Sequence, residues 1–205
     1  MPHSPPHSIV ITGDIVGSTN LPPDRLSAGF EALEDAATRV AGWMRAESHF
    51  TRHRGDGWQL CLPDRLAPLR IALTLRAALR ATDRRLKTRM ALAVGAVQLP
   101  ASGNLNDATG PAFVASGRLL DSLQGAALAD ARGGPHGAAA ELAHHISDGW
   151  TQAQARSVLP MLAPVKPTQE DVAQSLGVTR QAVRQALVAA GYPAISSALD
   201  MLETP

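Results

Sequence analysis

Between Thr168 and Leu187 the chain reads TQEDVAQSLGVTRQAVRQAL, and few folds accept that spacing of residue types. Val172, Leu176, Val178, Val183 and Ala186 supply apolar contacts that would pack two short helices at a steep angle. Ala173 keeps the first helix slim where the second must approach it. Gly177 stands at the turn between them, where a positive φ costs glycine little. Thr179 caps the second helix, and Thr179, Arg180, Gln181, Arg184 and Gln185 fall on its open face. Arginine and glutamine can each bond a base edge twice, so a helix that enters a major groove needs such side chains there. The pattern predicts a helix-turn-helix that binds double-stranded DNA. An ordinary helical hairpin with a polar outer face is the alternative.

Charge limits how such a unit could bind. From Thr151 onward Arg156, Lys166, Arg180 and Arg184 are offset by Glu170, Asp171, Asp200 and Glu203, so the segment gains little from counterion release. Either Arg180 and Arg184 make a local patch, or two copies of the motif are presented together, which makes a homodimer a functional requirement. The whole chain has 205 residues, enough for one substantial domain and one small one. Cys61 is the only cysteine and lies in an apolar run, which excludes an internal disulfide and fits a core residue in a reducing cytoplasm. No apolar run reaches membrane-spanning length, and the opening MPHSPPHS, with His3 and His7, is unlike a signal peptide. A cytoplasmic protein without a membrane partner is expected.

The N-terminal two-thirds alternates in period. Ser8 to Thr12 is a β-rich apolar run ending at Gly13 and Asp14. Leu26 to Arg45 has a helical period, with Leu26, Phe30, Leu33, Ala37, Val40 and Met44 on one face. Ser48 to Arg54 and Trp58 to Leu62 flank Gly55-Asp56-Gly57, a tight hairpin. Leu66 to Arg80 is helical, with Leu69, Leu73 and Ala77 on one face and Arg76 and Arg80 on others. Arg89 to Gln98 alternates as a half-buried strand would, and Pro111 to Leu123 reads as a helix opened by proline. The order β-α-β-β-α-β-α predicts an α+β, ferredoxin-like domain, with one antiparallel sheet and helices on one face. ARGGPHGAA, from Ala131 to Ala139, is the best linker, separating a domain over 1–133 from an all-α helix-turn-helix domain over 138–205.

Two features of the first domain suggest chemistry. Gly13-Asp14-Ile15-Val16-Gly17-Ser18-Thr19 follows the first strand directly. Its small residues would let backbone N–H groups approach an anion, with the Ser18 and Thr19 hydroxyls as further donors. It is not a P-loop, because no lysine follows the glycine, and a strand-ending turn is the structural alternative. Asp56 lies at the hairpin tip, beside the first strand in this topology, so Asp14 and Asp56 could converge. A magnesium-bound phosphate needs one or two such carboxylates. His144 and His145 do not form a metal site, since adjacent helical residues diverge, and fit a solvated or interdomain surface.

ITGDIVGST, RHRGDGWQLCL, RMALAVGAV and DATGPAFVASGRLLD occur in the order and spacing of class III nucleotidyl cyclase domains. Together with DGWTQAQARSVL, which precedes the helix-turn-helix and carries Trp150, Gln152 and Gln154, the chain resembles the SatD family, in which a cyclase-like domain precedes a helix-turn-helix. The resemblance implies that Asp14 and Asp56 hold a metal, and that Ile15, Gly17, Ser18 and Thr19 belong to the triphosphate loop. Arg52 and Asp107 match the base-selecting positions and Arg118 the arginine that stabilises the transition state. Val114 stands where the family has a ribose-positioning asparagine, and valine has no donor or acceptor for that task. Phosphoryl chemistry depends on orientation and charge stabilisation, so this departure counts against catalysis. Arginine for lysine at Arg52 also exchanges a point charge for a planar fork.

These implications describe a homodimeric regulator whose degenerate cyclase-like domain takes a purine nucleotide or cyclic (di)nucleotide, with Mg2+, and has no catalytic residue assigned. An active purine-nucleotide cyclase with an accessory helical domain is one alternative, supported by Asp14, Asp56 and Arg118. Others are a DNA-binding protein whose first domain only dimerises, and a helix-turn-helix that binds protein.

Overall fold

The computed structural model describes residues 7–53 and 55–204. The opening residues with His3, and Arg54 of the basic run, lie outside the described residues. β1 (Ser8–Ile15) is the central strand, antiparallel to β3 (Gly57–Pro63) on one side and to β4 (Thr88–Gly95) on the other. β2 (His49–Arg52) pairs with β3, and β5 (Ala127–Asp130) runs parallel to β4, giving the order β2-β3-β1-β4-β5. The first four strands have the expected ferredoxin-like order. The expected hairpin between β2 and β3 turns at Gly55, φ 72°, with the His53 N–H donated to the Gly57 carbonyl at 2.8 Å. β5 is absent from the sequence reading, because ALAD is short and shows neither clear alternation nor β-branched side chains.

The helices do not share one face of the sheet. α1 (Pro23–Met44) and α2 (Pro68–Thr82) cover one side, where Ile9, Ile11 and Ile15 meet Phe30, Leu33 and Leu73. α3 (Pro111–Ser122) covers the other, where Val10, Cys61 and Ala93 meet Ala112 and Phe113. This corrects the expectation of a single helical layer. The physical reason lies in β1 and β4, which carry apolar residues on both faces and would leave one face wet without α3. β4 is accordingly more than the half-buried strand its alternation suggests.

The stretch expected to be a linker is mostly helix, since α4 (Gly134–Asp148) begins within it. α5 (Gln152–Met161), α6 (Gln169–Leu176), α7 (Arg180–Ala189) and α8 (Tyr192–Glu203) complete the chain. α2 is the shared element. Every residue from Pro68 to Leu79 is buried, because α1 and the sheet take one side while the C-terminal helices take the other. Trp150, Val158, Leu162, Val172, Val183 and Leu187 therefore belong to the same apolar core as Ile9 and Leu33.

Buried charges on α2 are satisfied from the C-terminal helices and from β5. The Arg70 guanidinium donates to both carboxylate oxygens of Glu203 and to the Leu162 carbonyl. Arg76, 6% exposed rather than on an open face, donates to the Ser147 hydroxyl at 2.9 Å and the Ala127 carbonyl at 2.8 Å, and bonds the His144 ring. Burial pushes the Arg76 pKa down to about 10. His144 thus faces α2, whereas His145 is exposed, as their divergence on a helix requires.

Candidate functional site

Asp14 lies near the C-terminal end of β1, opposite Gly57 of β3 and opposite Arg89 of β4. Asp56 is held beside it: its carbonyl accepts the Ile15 N–H at 3.1 Å, and its carboxylate accepts the Ser18 hydroxyl at 2.5 Å. The structure thus brings Asp14, Asp56 and Ser18 to one end of the sheet. It adds a residue that the sequence reading passed over. Arg89 Nε donates to both oxygens of Asp14, at 2.9 and 2.7 Å, Nη2 reaches Oδ2 at 2.7 Å, and Nη1 donates to the Leu123 carbonyl beyond α3. The Asp14 hydrogen bond, and then the charges of Asp14, Asp56 and Asp121, raise the Arg89 pKa above its ordinary value. A charged residue directly across the ladder from an aspartate is the signal that could have found it.

The loop after β1 is less open than its glycines suggest. The Ile15 and Val16 N–H groups are taken by the Asp56 and Lys87 carbonyls, and the Ile15 side chain is buried in the helical face. Amide donors for an anion therefore start at Gly17, whose φ of 69° opens the short 3-10 turn Ser18–Asn20. Gly17 and Thr19 are exposed and Ser18 is half-buried. Gly13 is small for a different reason: a Cβ there would lie 2.5 Å from Trp58 Cζ2 and 2.8 Å from the Arg89 carbonyl. Its partner is the indole of the core.

Other expected binding residues make no bond to these carboxylates among the described residues. Arg52 alternates with Thr51 on β2, so its guanidinium stacks over the Phe30 ring of α1, 3.8 Å from the centroid, on the face away from α3. Asp107 is exposed in the 3-10 turn Leu105–Asp107. Arg118 is exposed on α3, one turn beyond Val114, which is 50% exposed. Among the described residues neither Asp107 nor Arg118 bonds Asp14 or Asp56.

As a donor set, two carboxylates and a hydroxyl at one strand end suit a magnesium ion that keeps most of its waters. Asp56 has one oxygen outside the Ser18 bond, but both oxygens of Asp14 are engaged by Arg89. A divalent ion fits here only by taking a share of Asp14 from that guanidinium.

Among the C-terminal helices α6 and α7 are joined by a tight turn at Gly177, and Thr179 caps α7, as the sequence predicts. Thr168 and Asp171 form a reciprocal cap on α6, Gly177 closes it at φ 65°, and the Thr179 hydroxyl accepts the Ala182 N–H at 3.1 Å. The Thr168 hydroxyl, with its backbone N–H, holds the Asp171 carboxyl below its ordinary value. Val172, Ala173, Val183 and Leu187 are buried, while Leu176 and Ala186 are half-buried. Val178, expected in the packing between the helices, is 46% exposed, because Gly177 turns the chain outward there. Thr179, Arg180, Gln181, Arg184 and Gln185 are all exposed along α7 and its cap. Arg184 also borders a groove against α8 lined by Tyr192 and Asp200.

No protein-family model matches the chain. No curated protein matches it either. Solved structures similar to it are of class III nucleotidyl cyclases. A bacterial light-regulated adenylyl cyclase is 15% identical over 57% of this chain and 69% of that one, with a TM-score of 0.38. The guanylyl cyclase Cya2 is 13% identical over 58% and 71%, with a TM-score of 0.41. The dimeric guanylyl cyclase domain of the RhoGC fusion protein from the aquatic fungus Blastocladiella emersonii is 14% identical over 58% and 75%, with a TM-score of 0.39. Among the described residues no helix is long and apolar enough to cross a membrane.

Proposed function

We propose that this protein is a cytoplasmic, homodimeric transcription regulator of SatD-like organisation. Residues 138–205 read double-stranded DNA, and residues 1–133 bind a purine nucleotide or cyclic (di)nucleotide. The observation that carries the DNA reading is the two-sidedness of α7. Val183 and Leu187 are buried, while Thr179, Arg180, Gln181, Arg184 and Gln185 are exposed together. A helix presenting arginine and glutamine in this way has the donors and acceptors that base edges require.

The nucleotide reading rests on Asp14, Asp56, the Gly17–Thr19 turn and Arg89. Phosphate oxygens would meet the free amides of the turn and the Arg89 guanidinium, and Asp14 and Asp56 would hold Mg2+, which offsets phosphate charge. Two such sites in a dimer couple to DNA if the nucleotide touches both subunits, because its affinity then depends on their relative orientation. Arg118 and Asp107, exposed on the α3 side, are the residues we assign to the partner's nucleotide. No catalytic residue is assigned, since Val114 offers the ribose nothing to bond.

The convergence of Asp14 and Asp56 keeps a second reading in view, an active purine-nucleotide cyclase. Incubation with ATP or GTP and magnesium or manganese separates the two: the regulator yields no cyclic product, and its affinity for a selected duplex changes with nucleotide. Turnover to a cyclic nucleotide with no duplex preference would favour the enzyme.

A further inference from the structure

Docking of the C-terminal helices on α2 changes the charge balance around α7. Two of the acidic residues that neutralise this segment by simple count are paired with cations, Glu203 with Arg70 and Asp200 with Lys166, while Glu170 and Asp171 keep their charge at the start of α6. Meanwhile the turn between α2 and β4 brings two arginines from the other half of the chain. Arg84 and Arg85 are exposed, and among the described residues neither guanidinium makes an ion pair.

Their backbone, by contrast, is fixed. The Arg84 carbonyl accepts Arg80 Nη1 at 2.6 Å, the Arg85 N–H donates to Asp83 Oδ1 at 2.7 Å, and Asp83 is paired with Arg25 at 2.9 Å. The turn is also tied to α5. Gln152 Nε2 donates to the Ala81 and Thr82 carbonyls at 3.0 and 2.9 Å, and Arg156 Nε donates to the Ala81 carbonyl at 3.2 Å. Arg156 then borders a groove of about 190 Å3 whose other wall is Val178, Ala182 and Ala186. A continuous path over the surface therefore runs from the start of α7, across the groove to Arg156, and on to Arg84 and Arg85.

We infer that Arg84, Arg85 and Arg156 form a phosphate-binding shelf. It holds the backbone of the same duplex whose bases α7 reads, so the cyclase-like half contributes directly to DNA affinity. This rests on the DNA reading of α7. The partner is duplex DNA because the cations flank a helix with base-reading side chains, and because arginine suits phosphate oxygens through paired N–H donors. Among the described residues none of the three guanidinium groups makes an ion pair, so these charges are available to release counterions.

The test uses full-length protein carrying Arg84→Ala and Arg85→Ala, both exposed substitutions, with thermal unfolding as the check on folding. Binding is measured to a duplex selected by the wild type from a randomised pool and to a mixed-sequence duplex, between about 50 and 200 mM salt. The shelf predicts weaker binding to both duplexes by a similar factor. It also predicts a plot of log affinity against log salt that is shallower by about 0.9 for each phosphate that is no longer neutralised, with the preferred sequence unchanged. A double variant with the wild-type slope overturns the shelf alone, if the wild type prefers its selected duplex. A wild type that binds neither duplex overturns the reading of α7 and the shelf together.

Discussion

Arg70 and Glu203 form a two-pronged pair between α2 and α8, Nε to Oε1 at 2.7 Å and Nη2 to Oε2 at 2.6 Å, across 133 residues of sequence. Arg70 is 2% exposed, so the pair lies where a guanidinium without a partner would be costly. Glu203→Ala leaves that charge with the Leu162 carbonyl and, at 3.9 Å, the exposed Asp200 carboxylate. The expected cost is about 3 kcal/mol, read by chemical denaturation. A loss below about 1 kcal/mol would mean that the pair behaves like one on the surface.

Gly13→Ala tests why β1 carries a glycine two residues before its end. The added methyl would meet the Trp58 ring at 2.5 Å and the Arg89 backbone at 2.8 Å, neither of which is the tip of a flexible chain. Overpacking of this kind costs about 1–3 kcal/mol. The expected result is a lower melting temperature, with Trp58 fluorescence altered in the folded state. An unchanged melting temperature would contradict the close approach.

His144 gives the docked helices a pH dependence. Burial, and then the Arg76 charge, hold its pKa below the ordinary value of 6.5. A group with a depressed basic pKa binds fewer protons folded than unfolded, so stability rises with pH between the two values. The stability is present above about pH 6.5 and is lost as the solution is acidified from there toward the folded-state value. His144→Gln should flatten the unfolding free energy across that window. A profile identical to wild type would place the titration elsewhere.

Arg89 and a divalent ion compete for Asp14. In Arg89→Ala the carboxylates of Asp14, Asp56 and Asp121 lose their shared counter-charge, so the variant should be less stable without metal. Millimolar Mg2+ should raise its melting temperature more than that of the wild type. Adding Asp14→Asn should remove the gain. Equal responses in all three proteins would show that the ion does not bind Asp14.

What the sequence conveyed depended on how local each feature is. The cap at Thr179 and the turn at Gly177 are set by neighbours a few residues away, and the structure has them where the sequence placed them. The β1 to β4 order was legible because each strand and helix has its own period. α3 on the second sheet face was not, because nothing local to Pro111–Ser122 says which side it covers; the two-sided apolarity of β1 and β4 does. Arg52 was placed by matching a motif, while the period of two on β2 puts it with Phe50 toward α1. Arg89 needed the register between β1 and β4. Burial of Arg70 and Arg76 needed the docking of distant helices, which no window of sequence contains.

The most direct test is selection of duplex DNA from a randomised pool by the wild type and by Arg184→Ala, with and without purine nucleotides and cyclic dinucleotides. The account predicts one preferred sequence for the wild type and altered affinity for it with at least one nucleotide. It also predicts that Arg184→Ala weakens binding by about 1–3 kcal/mol and relaxes preference at a single position. Recovery of no preferred sequence by the wild type would contradict it.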